Sequence, residues 1–328
     1  MSLVRILSKS QIQELVPFSE AVRVVEDTFT DYQEGRTHIP PVVNLDIEKN
    51  RGEVHIKTAF LEPQDMFGVK IASGFYDNPR LFGLPTGSGI VLLSDGKTGR
   101  PLALMDSSFI TFIRTGASGA LGIKYLAPRQ VTSAAIIGAG ANARWQLRGL
   151  LHFRDVRDIR VYDKIPEASG RFAAEMSKEL NVPVREVSTA ALAVSGVQVI
   201  ITCTPSRTPI VKREWVLPGT HINAFGADMK GKQELDERLF ETAKVVVDHI
   251  RQAPAFGECE MAVEHGILDV GRIHAEIGEL TSGRKPGREK PEEITIYDAT
   301  GVAIQDVAIA AFVYERAVVG DIGTVVEL

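Results

Sequence analysis

The sequence predicts an α/β fold with a parallel sheet, preceded by a separate antiparallel-sheet region, and three observations carry that reading. Between Pro40 and Leu104 short apolar runs alternate with Gly, Pro, Asp and Asn, the pattern of short strands joined by turns. From Val131 onward, apolar strand-like runs alternate with helical stretches, which argues for a parallel sheet covered by helices on both faces. Length and composition agree: 328 residues, 44% hydrophobic and 24% charged, suit a globular chain of about two domains.

In chain order, Ser8 to Gly35 reads as helical. Leu15, Ala21, Val22, Val25 and Phe29 form an apolar stripe, Pro17-Phe18-Ser19 marks a break with Ser19 as N-cap, and Gly35 stops the helix. Strands are expected at Val42 to Leu45, Val54 to Phe60, Gly68 to Ser73, Gly89 to Ser94 and Leu102 to Met105, with a hairpin turn at Asp95 to Gly99. Phe109 to Tyr125 is expected to be a helix carrying Arg114 near its start. Then come strand Ser133 to Ile137, helix Ala141 to Leu151, strand Ile159 to Tyr162 and helix Glu167 to Leu180. Further strands are expected at Val184 to Val187, Val197 to Cys203, Thr220 to Phe225, Val245 to Val247 and Ile294 to Tyr297. Thr281 to Glu293 is charged and rich in Gly and Pro, hence a surface loop, and Val302 to Val319 is an apolar helix.

Several function classes are disfavoured. A net charge of −5 supplies no basic field for nucleic acid. No apolar run approaches the ~18 residues of a membrane span, and the N-terminus lacks the apolar core of a secretion signal, so the expected compartment is the cytoplasm. Cys203 and Cys259 form neither a disulfide framework nor a metal-ligand spacing, and no metal is expected. His221 and His249 lie in or beside apolar strands and read as structural.

The chemistry begins at Gly138-Ala139-Gly140-Ala141-Asn142-Ala143, a G-x-G-x-x-A turn between a strand and a helix. The first glycine allows the tight turn and the second lets backbone approach a pyrophosphate. Ala143 lets helix pack on strand, while the helix start at Ala141 and Asn142 offers N–H groups and partial positive charge to the phosphates. Asp163 ends the next strand, twenty-three residues after Gly140, where a carboxylate binds the adenosine ribose. This is a Rossmann-type dinucleotide site. Asp163 would repel a 2′-phosphate and so favours NAD, although Lys164 beside it leaves NADP open. Thr204, Asn223, Ala224 and Asp228 follow or end later strands and are expected near the nicotinamide, since ligands of open α/β sheets sit at the carboxyl ends of strands. For Thr204 and Asn223 the alternative is satisfaction of backbone groups.

With those residues in view the chain resembles the ornithine cyclodeaminase/mu-crystallin family. The blocks that carry the likeness are Gly83-Leu-Pro-Thr86, Ile113-Arg-Thr-Gly-Ala117, His221 to Asp236 around Asp228, and Asp298 to Asp306. Thr204 to Trp215 is most similar to the archaeal alanine dehydrogenase branch. The resemblance implies a substrate-binding and dimerisation domain of α+β type built from 1–125 and 301–328. A cofactor domain, 126–300, is inserted into it, and the chain is expected to be a homodimer. It further implies that Lys70 holds the substrate, that Arg114 contacts the cofactor phosphates, that Asp228 donates and accepts the proton, and that Thr86 and Thr300 are cofactor contacts. Thr86 serves equally as a turn residue. Where many relatives carry a carboxylate-gripping arginine, this chain has His55-Ile-Lys57. Lys57 lies on the same strand face as His55 and is the candidate substitute anchor, a pattern similar to the iminosuccinate reductase branch.

The activity this implies is transfer of a hydride between the α-carbon of a small 2-amino or 2-imino acid and NAD(P), with Asp228 shuttling the proton from a raised pKa. Net redox is favoured over ornithine-type cyclodeamination. A non-catalytic, NADP-regulated binding protein is the reading from another class, and the presence of Lys70 and Asp228 argues against it.

Overall fold

The computed structural model describes residues 3–328, and they divide into two compact units. One comprises residues up to Arg114 together with Val302–Leu328, and the other is Thr115–Gly301. The division falls inside helix Ser107–Leu126, earlier than residue 125, where the sequence change suggests it. A helix shows no compositional break at the point where its neighbours change.

The first unit holds an eight-stranded sheet. Its order is Thr324–Glu327, Leu3–Leu7, Pro101–Asp106, Gly87–Asp95, Met66–Phe75, Gly52–Leu61 and Thr37–His38, and Val43–Ile47 also pairs with Gly52–Leu61. All pairings are antiparallel except Leu3–Leu7 with Pro101–Asp106. The two terminal strands were not expected from the sequence, because five- and four-residue runs interrupted by Arg5 or at the chain end carry little periodicity. Helices Lys9–Leu15, Phe18–Gln33 and Ala303–Val319 accompany this sheet. Ser8, not Ser19, provides the capping box, on the first of these helices; the second starts at Phe18 behind Pro17, with no side-chain cap. Proline already fixes the extended entry there and has no N–H to satisfy. Gly68 lets helix Ala303–Val319 lie close on the sheet: a Cβ at Gly68 would stand 2.8 Å from Val307 Cγ2.

The second unit is built on an eight-stranded, wholly parallel sheet in the order Val184–Glu186, Asp158–Tyr162, Ser133–Ile137, Val199–Thr202, His221–Ala224, Thr295–Asp298, Lys244–Val247, Ala275–Glu276. Alternate residues of one strand enter different cores. Ala135 and Ile137 pack with Ile200, Ile222 and Ile296, whereas Ala134 and Ile136 pack with Val161, Val199 and Ile201. Burial on both faces is why these strands read as continuous apolar runs. The order reverses between Ser133–Ile137 and Val199–Thr202, and a crevice opens at the carboxyl ends of strands at such a point. Among the described residues no helix is long and apolar enough to cross a membrane.

Candidate functional site

The second unit has a cavity of about 530 Å³ where its strand order reverses, lined by the glycine turn, by Tyr162 to Ile165 and by Cys203 to Ser206. Gly138 adopts φ +98 and donates its N–H to Tyr162 O at 2.8 Å. Gly140 caps helix Ala141–Phe153 without any side-chain hydrogen bond, so the first N–H groups of the helix are left to an anion. A Cβ on Gly140 would meet nothing within 4 Å, whereas one on Gly138 would stand 2.8 Å from Thr204 Cγ2. The turn is thus tight against Thr204 and open at Gly140, where a pyrophosphate needs room. Asn142 Oδ1 is buried without a hydrogen-bond partner, a polar atom available to a ligand. These features fit a dinucleotide.

Asp163 stands at this cavity. Its Oδ2 accepts from Ala139 N at 2.8 Å and its Oδ1 from Ile165 N at 2.9 Å, so the acid braces the glycine turn at the edge of the cavity. Thr204 lines the same cavity, its N–H donating to Glu234 Oε1 at 2.6 Å.

Three expected cofactor contacts of this unit have other duties. Asn223 is fully buried: its amide nitrogen donates to Gly119 O at 3.0 Å and Gln146 Oε1 at 3.3 Å, and its Oδ1 meets His221 Nε2 at 2.8 Å. Its side chain points along the strand into the helix packing, away from the strand end. Burial drives the His221 pKa down to about 3, so this ring is a neutral structural group. Ala224 has its methyl in the apolar core. Thr300 is buried and donates to Asp248 Oδ1 at 3.0 Å.

Asp228 follows strand His221–Ala224 in a short loop. Its side chain is 54% exposed and its Oδ1 accepts from Lys232 Nζ at 2.5 Å. It is more exposed than the sequence reading expects, although Ala227 beside it is buried.

In the first unit Lys57 and Lys70 are direct cross-strand partners. Like charges so placed repel, and the fold answers with Asp306 from helix Ala303–Val319. Its Oδ1 accepts from Lys70 Nζ at 2.9 Å and from Arg114 Nε at 3.2 Å. Arg114 also donates to Gln305 Oε1 at 3.1 Å. Asp306 is fully buried, Lys70 is 3% exposed and Arg114 is 7% exposed. Burial pushes Lys70 down to about 8, with Asp306 opposing and Arg114 and Lys57 adding to the fall. Burial would raise the Asp306 carboxyl, but Lys70 and Arg114 overcome it and hold the group below its ordinary range. Lys70 and Arg114 thus share one acid, and Asp306 Oδ2 is buried without a hydrogen bond.

Arg114 is therefore drawn into the Lys70 cluster through Asp306, whereas the resemblance implies a contact with the cofactor phosphates. It sits well inside helix Ser107–Leu126 rather than at its start, so the clash with the helix dipole that suggested a phosphate does not arise. His55 shares the strand face of Lys57; its Nδ1 lies 2.6 Å from Asn44 Oδ1 and its Nε2 3.7 Å from Glu53 Oε1. Thr86 acts through its backbone, accepting from Phe75 N at 2.8 Å, which is the turn role. Asp306 and Gln305 were not singled out from sequence, although an adjacent acid and amide in the apolar run Val302 to Val313 are a readable signal.

The model of the ornithine cyclodeaminase/mu-crystallin family matches residues 4–321. An alanine dehydrogenase of Archaeoglobus fulgidus is 41% identical over 320 residues, 97% of each chain. Among solved structures, an archaeal alanine dehydrogenase dimer with bound NAD is similar at a TM-score of 0.94 and 39% identity, over 99% of both chains. The Delta(1)-pyrroline-2-carboxylate reductase of Thermococcus litoralis, in complex with NADH and L-proline, is similar at a TM-score of 0.94 and 36% identity, over 98% of this chain and 99% of that one.

Proposed function

The chain belongs to the ornithine cyclodeaminase/mu-crystallin family, and on that premise we propose that it is an NAD(P)-dependent oxidoreductase of small 2-amino or 2-imino acids. The observation that carries the reading is that two buried cations, Lys70 and Arg114, share the carboxylate of Asp306, with Lys57 as the cross-strand partner of Lys70. Two buried cations that share one carboxylate are further stabilised by a second anion, and the α-carboxylate of an amino or imino acid supplies it. Arg114 suits a planar carboxylate by its fork of donors, and Lys70 and Lys57 act as point charges. The glycine turn, the uncapped helix start and Asp163 hold the dinucleotide.

A bound nicotinamide would supply the hydride chemistry at the α-carbon. In the oxidative direction the amino acid loses that hydride and one proton from nitrogen, giving the 2-imino acid. Asp228, exposed and able to exchange with solvent, takes the proton. Water then adds across C=N and ammonia leaves, giving the 2-oxo acid; a reductase runs the hydride step in reverse on a preformed imine. NAD is preferred over NADP, because Asp163 would face a 2′-phosphate. The likeness to an alanine dehydrogenase supports net redox over cyclodeamination.

The protein acts as a homodimer in this reading. The sheet face opposite Lys70 exposes Val43, Leu45, Ile71 and Ile90, each at least 38% accessible, and a contiguous apolar sheet face marks an interaction surface. The archaeal alanine dehydrogenase similar to this chain is a dimer.

The test is a panel of amino acids, and of oxo acids with ammonia, followed at the near-ultraviolet absorbance of reduced nicotinamide with both cofactors. Substrate-dependent gain or loss of NADH supports the reading. Ammonia release without net NADH change would mean cyclodeamination, and tight NADPH binding with no turnover would mean a binding protein.

A further inference from the structure

The second unit contains a set of buried carboxylates, each clamped on backbone. Asp298, at the end of strand Thr295–Asp298, accepts from Glu258 N at 3.0 Å and Cys259 N at 2.9 Å. Glu258 in turn accepts, through Oε1 alone, from Glu234 N at 2.8 Å and Leu235 N at 2.6 Å. Glu234 then accepts from Thr204 N at 2.6 Å with Oε1 and from Gly226 N at 3.0 Å with Oε2. Among the described residues none of the three pairs with a lysine, arginine or histidine. Folding three buried acids together without a cation is expensive, and the donors they hold show where the cost is spent.

The two donors on Glu234 come from different strand ends. Thr204 follows strand Val199–Thr202 and lines the cofactor cavity. Gly226 follows strand His221–Ala224 and lies two residues before Asp228. The fit is close: a Cβ on Gly226 would lie 2.3 Å from Glu234 Oε2 and 2.2 Å from Thr204 O. The far side of the Asp228 loop is held likewise, by Gly231 N on Glu260 Oε2 at 2.9 Å.

We propose that Glu234 is a positioning residue for the reaction: its two carboxylate oxygens fix the Thr204 loop and the Asp228 loop relative to each other. The inference rests on the assignment of Thr204 to the cofactor and Asp228 to the proton. It requires the ionised carboxylate, because only then do both oxygens accept freely. The groups facing Glu234 are Cys203, Glu258 and, behind Glu258, Asp298. Burial keeps the Cys203 thiol well above its ordinary value, with Glu234 adding to the rise. Glu258 is the natural holder of a proton in the pair, since its Oε2 is buried without a hydrogen-bond partner while both Glu234 oxygens have donors. Burial raises Glu234 to about 7 against the hydrogen bonds of its donors. The loops are therefore held in place above this value and loosened below it.

The experiment compares wild type, Glu234→Gln and Glu234→Asp for NADH affinity by fluorescence, and for kcat and KM against pH with the substrate found in the panel. In Glu234→Gln an amide N–H faces one of the two backbone donors, so kcat is expected to fall about 10- to 100-fold at saturating substrate, the scale of a small misplacement of reacting groups. NADH affinity is expected to weaken, and the acid limb of the wild-type kcat profile near 7 to disappear. A purely structural acid would lower the melting temperature without removing that limb. Glu234→Asp keeps the charge but cannot span both donors, so it retains the limb with a reduced kcat; it carries the test if Glu234→Gln does not fold. Unchanged kcat and an unchanged acid limb in Glu234→Gln overturn the proposal. If the wild type binds NADH but turns over nothing in the panel, the functional reading has failed. The inference is then judged on NADH affinity alone, which must weaken in Glu234→Gln and lose its dependence on pH near 7.

Discussion

Lys70 and Asp306 close an ion pair of 2.9 Å across 236 positions of sequence, with both side chains buried. The pair joins the middle of a strand to a helix near the chain end and sets the electrostatics of the proposed carboxylate site. Because Asp306 serves Arg114 as well, it is the hinge of the first set of predictions.

Asp306→Asn leaves Lys70 and Arg114 buried without their counter-charge. Breaking a buried pair from one side costs on the order of 3–5 kcal/mol, to be measured by urea unfolding. Loss of the attraction that opposes burial also moves Lys70 further down in pKa. A variant as stable as wild type would mean that the cluster is solvated in solution.

Lys70 predicts an alkaline limit to activity. Its pKa falls from 10.5 to about 8, so the cation needed for the carboxylate is present below 8 and lost above it. The expected kcat/KM profile declines above about pH 8, as KM rises. Stability runs the other way. The unfolded chain keeps this proton up to 10.5, so the contribution of Lys70 to folding improves between about 8 and 10.5, by on the order of 3 kcal/mol. In Lys70→Met both the decline in kcat/KM and this gain should be absent. A kcat/KM profile flat from neutral to pH 9 in the wild type would remove Lys70 from substrate binding.

Asp228→Asn separates chemistry from binding. The side chain is exposed and contacts Lys232 rather than the glycine turn, so NADH affinity should be retained while turnover is lost. Loss of NADH binding with turnover would make Asp228 a structural residue of its loop.

Gly138→Ala tests the turn. Alanine at φ +98 is strained, and its methyl would lie 2.8 Å from Thr204 Cγ2 and 2.9 Å from Cys203 O. At least about 1 kcal/mol of stability should go, together with cofactor affinity, measured by thermal melting and NADH titration. Wild-type affinity would place the dinucleotide elsewhere.

The sequence by itself determined the parallel-sheet unit and its cofactor turn. Fully buried strands read as continuous apolar runs, and Gly138, Gly140 and Asp163 are fixed by local backbone demands within one strand–helix–strand segment. The resemblance singled out Lys70 and Asp228 as candidates. Only the tertiary structure decided what the buried polar groups do. Asn223 looks from sequence like a cofactor contact, but hydrogen bonds to residues as distant as Gln146 occupy it, and Arg114, read as a phosphate contact, is drawn to Asp306 beside Lys70. Asp306 and Glu234 were passed over because an acid in an apolar run has no meaning until its partners are known. The physical reason is the same in each case. Backbone conformation is dictated by near neighbours in sequence, whereas the fate of a buried charge is set by whatever the fold brings within about 3 Å of it.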